Sequence, residues 1–374
     1  MRKHVGIFSL AAVALFFNAC RKSDVPAGTS DSNISSPRTI NLIPAQNQSA
    51  GDRRIYLPIM QVGTTKATLK TVFDTGSEGM VLSGTSLFTS MYIADTGIVI
   101  NSPDSAIING ITVTSTKVVS TYGSPPATRS FYGNIAYASF VFGDASGSVQ
   151  TLRMPFIVIY KGVDNQTQAS VPVDANSDGI AGIQSSGFTP GIALVTNRAG
   201  VKSPFNYFNY GTGIFAGFQL APLSNIGWTN QASNQGFPST PLLTLGLTSD
   251  METGYALQSQ RLDIGFLYDP DLLVNVTYGG STVSNSNLLL DTGTPVGNSI
   301  FNSAISGSTT LAAGVAVSFS TNEGFDYGYS TDNLLFQTIV QNNGQQRCIF
   351  GIDFFLNNYF LIDYTQHYIG LKAS

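Results

Sequence analysis

The chain has 374 residues and a formal charge of −4; only 11% of its residues are charged, 11% are aromatic and 38 are glycine. That length exceeds one ordinary domain and suits two lobes, and the short recurring runs of Val, Ile, Thr, Ser, Tyr and Phe are a β-rich, extracytoplasmic composition. A slight acidic excess with no Lys/Arg cluster beyond the N-terminus argues against nucleic acid as a partner.

Residues 1–20 read as a targeting segment. Arg2 and Lys3 form a basic start and Val5 to Phe17 an apolar stretch too short to span a bilayer; Phe17-Asn18-Ala19-Cys20 closes it with a small residue before Cys. The segment resembles a bacterial lipoprotein signal. That resemblance implies lipidation of Cys20 and a bacterial envelope location, anchored at the outer membrane by its N-terminal lipid and facing the periplasm or the surface. An ordinary signal peptide with a chance Cys is the other reading. Residues 21–54, rich in Ser, Asn, Pro, Ala and Gly without periodicity, are expected to form a flexible tether, with a propeptide as the alternative.

From Ile55 onward strand patterns and turn signals alternate almost without a break. The apolar strand Thr68 to Phe73 runs into Asp74-Thr75-Gly76-Ser77. Asp95-Thr96-Gly97 lacks the following hydroxyl and reads as a plain turn. Asp174 to Ser185 begins like a calcium loop, but its twelfth position is Ser185 rather than Glu, so no metal is expected. Pro204 to Tyr210 is a candidate short helix. Leu288-Leu289-Leu290 then runs into Asp291-Thr292-Gly293-Thr294, the first motif repeated 217 residues on. Cys348 reads as a buried small hydrophobe. His367, the only His besides His4, is expected at an exposed strand position, and a lone His leaves zinc or Ser-His-Asp chemistry without material.

Carboxylates are the chemistry left. Two Asp within hydrogen-bond reach cannot both ionise, so the pair shares a proton. The ionised member can then deprotonate a water while the protonated one polarises a carbonyl. Gly76 and Gly293 allow backbone N–H groups close to the carboxylates, and the hydroxyls of Thr75, Ser77, Thr292 and Thr294 can donate to them.

Over about Ile55 to Leu371 these motifs resemble, in order and spacing, those of the pepsin-like bilobal aspartic proteases. The resemblance places Asp74 and Asp291 at the two catalytic positions and Tyr122-Gly123, 48 residues after Asp74, at the flap. Tyr132, also followed by Gly, competes for that role. Ile180-Ala181-Gly182 and Ile349-Phe350-Gly351 resemble the apolar-apolar-Gly segments beside the Asp loops. It implies an all-β fold of two related barrel-like lobes, 55–225 and 226–374, with a cleft between them. It implies a monomeric endopeptidase acting on polypeptide, without cofactor. The chain departs from the family in having Val81 where many members carry a flap-supporting Trp, Pro295-Val296-Gly297 after the second motif, and no disulfides. Two further readings are a catalytically silent module of the same fold that holds protein or glycan, and a β-sandwich surface lipoprotein. The last requires Asp74 and Asp291 to lie far apart.

Overall fold

The computed structural model describes residues 32–46, 52–124, 127–173, 176–184, 201–224, 226–230, 239–262, 268–342 and 346–374. The targeting segment with Cys20, and Asp174 and Ser185 of the calcium-like stretch, lie outside the described residues.

Strand dominates the described chain, and helix is confined to single turns such as Gly84–Leu87. The short helix expected from Pro204 is a 3-10 turn, Pro204–Asn206, that buries Phe205. In the first half Arg53–Val62 turns through Gly63, at φ 59°, into the antiparallel partner Thr65–Asp74. Alternation gives way to a run of four buried residues at Thr71 to Asp74, because both faces are covered there. Gly179–Ile183 lies parallel to that strand and antiparallel to Glu78–Ser83. The second half repeats the arrangement. Ser281–Leu290 has Leu272–Tyr278 antiparallel on one side and Cys348–Phe350 parallel on the other, and Cys348–Phe350 is antiparallel to Asn298–Phe301. These strands sit in an eight-stranded sheet. The echo in sequence is thus a repeat in topology, with one Asp at the end of the central strand of each half.

A third sheet joins the halves. Its antiparallel order is Arg38–Gln46, Thr240–Leu247, Phe215–Leu220, Asn358–Asp363, Tyr368–Ala373 and Ala256–Ser259. Arg38–Gln46 also pairs with Arg53–Val62, which ties this sheet to the first half.

The flexible-tether reading of 21–54 is therefore corrected for its described part. Ile40, Leu42 and Ala45 are fully buried, and the strand bonds to neighbours on both edges. A short period-2 alternation inside a Ser/Asn/Pro-rich stretch is masked by the flanking composition. The lobe boundary expected at 225/226 falls inside the joining sheet, between Phe215–Leu220 and Thr240–Leu247, so that sheet belongs to neither lobe alone. His367 also departs from expectation: it occupies the hairpin turn before Tyr368 at φ 61°, with its ring stacked on Tyr268. Cys348 is buried and free, and Asp95-Thr96 makes the turn between Ile93–Ala94 and Gly97–Ile98.

Leu42→Ala in the stretch read as a tether is expected to cost about 2–5 kcal/mol, as for a core leucine. Urea unfolding checks this; a tether residue would leave the midpoint unmoved.

Candidate active site

Asp74 ends the strand Thr65–Asp74, and Asp291 follows the strand Ser281–Leu290, with its N–H bonded to the Phe350 carbonyl at 2.8 Å. Each carboxylate is held by its own motif. Asp74 Oδ1 accepts from the Gly76 N–H at 2.8 Å and Oδ2 from the Ser77 hydroxyl at 2.6 Å. Asp291 Oδ1 accepts from the Gly293 N–H at 2.7 Å and Oδ2 from the Thr294 hydroxyl at 2.6 Å.

The two threonines tie the motifs together. Thr75 N–H donates to Thr292 Oγ1 at 3.0 Å, and Thr292 N–H donates to Thr75 Oγ1 at 2.9 Å. Each hydroxyl passes its proton across the interface, Thr75 to the Leu290 carbonyl at 2.7 Å and Thr292 to the Phe73 carbonyl at 2.6 Å. Both side chains are buried. Two hydroxyls thus bond four buried backbone groups across the interface.

The glycines act crosswise. A Cβ on Gly76 would fall 2.4 Å from Asp291 Cγ, and one on Gly293 would fall 2.5 Å from Asp74 Oδ1. Each motif's glycine makes room for the other motif's carboxyl, a requirement of close approach rather than of backbone angle. Both carboxyls crowd one point, since the same Cβ on Gly293 would also fall 2.9 Å from Asp291 Oδ1. Burial pushes the Asp74 carboxyl well above the usual range, and the neighbouring Asp291 carboxyl pushes it further, against the Ser77 and Gly76 donors. The β-sandwich reading, which needs the two Asp far apart, is overturned.

Behind each loop lies a matching brace. Gln184 N–H donates to the Ser77 carbonyl and Ile352 N–H to the Thr294 carbonyl, both at 3.0 Å. Gly182 and Gly351 lie against these loops, where a Cβ would fall 2.7 Å from Ser77 C and 2.8 Å from the Thr294 carbonyl oxygen respectively. The second loop has an added support. Buried Asn298 accepts from the Gly351 N–H at 2.9 Å and donates to Asp353 Oδ2 at 2.7 Å. Burial pushes the Asp353 carboxyl up to about 7.

Tyr122 and Gly123 lie near the tip of the long hairpin formed by Ile111–Ser124 and Ala127–Ala138, Tyr122 opposite Arg129. Gly123 has φ 90°, and a Cβ there would fall 2.4 Å from the Ala127 carbonyl oxygen. The Tyr122 ring packs on Phe131 at 5.8 Å and against the clusters holding Val81 and Val72. Val81 is fully buried in that packing, so an aliphatic side chain stands beneath the hairpin in place of a Trp. Tyr132 lies farther from the tip, paired with Val119 and Lys161.

Sequence reasoning missed Arg53 and Arg54. The Arg54 guanidinium donates to the Gly293 carbonyl, and the Arg53 N–H donates to the Pro295 carbonyl at 3.1 Å. An adjacent Arg pair just before an apolar strand, in a chain this poor in charge, was the available signal.

The fold is similar to that of an aspartic proteinase from Irpex lacteus, with a TM-score of 0.56 and 18% identity over 91% of this chain and 98% of that one. It is also similar to basic 7S globulin from soybean, with a TM-score of 0.50 and 13% identity over 90% and 96%. The fold is therefore the pepsin-like, bilobal all-β fold. No family model and no curated protein sequence matches the chain. One neighbour is named a proteinase and the other a globulin, so the activity rests on the site itself.

Thr75→Val or Thr292→Val leaves buried backbone groups unsatisfied and is expected to cost about 2–4 kcal/mol. Thr→Ser at the same positions, keeping the hydroxyl, costs less. Urea midpoints of the four variants separate the hydroxyl from the methyl.

Proposed function

We propose that the chain is an aspartic endopeptidase. The observation that carries this reading is the closely set pair Asp74/Asp291, each carboxyl held by an N–H and a hydroxyl and the two loops locked by the Thr75/Thr292 exchange; we infer that the pair shares one proton. A pair with one proton has a base and an acid side by side. The ionised carboxylate takes a proton from a water, the water oxygen attacks the scissile carbonyl, and the protonated carboxyl donates to the carbonyl oxygen. The tetrahedral species then collapses as the amine leaves with a proton from the pair. No covalent enzyme intermediate forms. Polypeptide is the substrate, bound extended with its main chain bonded as an added strand, and Tyr122 on its hairpin closes over it. The reading includes a monomer anchored through lipidated Cys20 at the bacterial envelope.

The purified chain from Arg21 onward is expected to cut a denatured protein, and Asp74→Asn or Asp291→Asn to lower the rate by at least about a thousandfold. A statine-type transition-state analogue should block the wild type. A folded wild type inert from pH 3 to 8 sinks the proposal in favour of the silent binding module.

Stability provides a second check. The folded Asp74 carboxyl is raised above the unfolded value of about 3.9. Its contribution is then complete below about pH 4 and is lost as pH climbs through the raised folded value. Asp74→Asn cannot ionise, so the variant should gain on the wild type as pH rises over that window. Parallel urea midpoints from pH 4 to 8 would show the gap changing in this direction; a constant gap contradicts the shift.

A further inference from the structure

Arg54 opens the strand Arg53–Val62 opposite Ala45, and its Nη1 donates to the Gly293 carbonyl. Gly293 faces both carboxyls: a Cβ there would fall 2.5 Å from Asp74 Oδ1 and 2.9 Å from Asp291 Oδ1. The guanidinium is thus one residue from the reacting pair. Its approach is fixed by Arg53, whose N–H bonds the Pro295 carbonyl and whose guanidinium lies over the Trp228 ring at 5.0 Å.

Among the described residues the ion pairs are Arg261–Asp269 and Arg347–Asp271, and none involves Arg54. Asp52, the acid nearest in sequence, makes no ion pair with it, and residues 47–51 and 231–238 contain no Asp or Glu. The dyad itself is bound to its own loop donors. Arg54 is half-buried, and its partner at the site is a neutral carbonyl. A planar guanidinium in that setting suits a carboxylate, which it can meet with two parallel N–H bonds.

In the extended binding proposed above, a polypeptide at the dyad runs along the Gly293–Pro295 loop, where this guanidinium lies. We propose that Arg54 is a specificity-determining residue that selects a substrate with an acidic side chain beside the scissile bond, on the side lying against the Gly293–Pro295 loop. This rests on the endopeptidase reading for its reaction, but not for its binding.

The test uses peptides matched except for Glu or Gln at each of the three positions on either side of the cut. They are assayed above about pH 5, where a substrate Glu is ionised. At one position the wild type should prefer Glu over Gln by roughly ten- to a hundredfold in kcat/KM, the range of a charge-assisted bond. Arg54→Gln should bring that ratio near one, whatever it does to the overall rate, and Arg54→Lys should keep part of it. Statine-centred peptides bearing the same Glu or Gln, followed by fluorescence anisotropy, read the ratio without turnover. Unfolding curves establish that both variants fold.

A wild type with no Glu preference at any position, or a preference that survives Arg54→Gln, overturns the proposal while leaving the endopeptidase intact. Acid-selective binding without cleavage upholds Arg54 and removes the endopeptidase. A folded chain that neither cuts nor binds removes both.

Discussion

Two threonine hydroxyls hold the site together. Thr75 and Thr292 each accept a hydrogen bond from the other's backbone N–H and donate one to the carbonyl preceding the other's Asp. The exchange fixes two loops, from strands far apart in the chain, at one separation. Everything chemical depends on that separation. Farther apart, the carboxyls would ionise independently like surface carboxylates; closer, Gly76 and Gly293 could not admit the opposing side chains. The parallel strands Gly179–Ile183 and Cys348–Phe350 then brace the loops from behind with matched bonds at Ser77 and Thr294.

The twofold likeness of the halves stops a short distance from the carboxyls. The first half carries the long hairpin with Tyr122; the second has Asn298 and Asp353 under its loop. Arg53 and Arg54 cross from the first half to the second loop, at Pro295 and Gly293. The departures at Val81 and Pro295 acquire physical content here. Val81 is part of the aliphatic cluster on which Tyr122 packs. Pro295 offers its carbonyl to Arg53, and Gly297, at φ 78°, turns the chain so that its N–H reaches the Leu335 carbonyl. A pair of related loops thus becomes a site with distinguishable sides.

The core of the fold and the dyad were legible because they are written locally. An apolar run ending in Asp-Thr-Gly and a hydroxyl specifies a buried strand, a turn and a held carboxylate within seven residues. Its repetition implied the second lobe. Ser77 and Thr294 donate to the carboxylates as expected, but Thr75 and Thr292 do not: their hydroxyls go to the Leu290 and Phe73 carbonyls, an exchange that depends on how the loops meet. Residues 38–46 were lost to composition: Ile40 and Leu42 alternate over too few positions to stand out among Ser, Asn and Pro. Arg54 was lost for a related reason, because an arginine's meaning lies in what it reaches, and Gly293 is 239 residues away. His367 followed a strand pattern whose turn falls on it, and the joining sheet, built from distant segments, left no local trace of its order.

The joining sheet has a consequence for when the site exists. Its strand Phe215–Leu220 lies between Thr240–Leu247 and Asn358–Asp363, and Tyr368–Ala373 pairs beyond that. A growing chain emerging in order therefore exposes both Asp motifs before the last strands that join the lobes are available. Closing those pairings brings together residues more than a hundred positions apart, a slow and late step for a β-topology. The framework that joins the two halves around the carboxyls is therefore completed only once Asn358–Asp363 is present to pair with Phe215–Leu220.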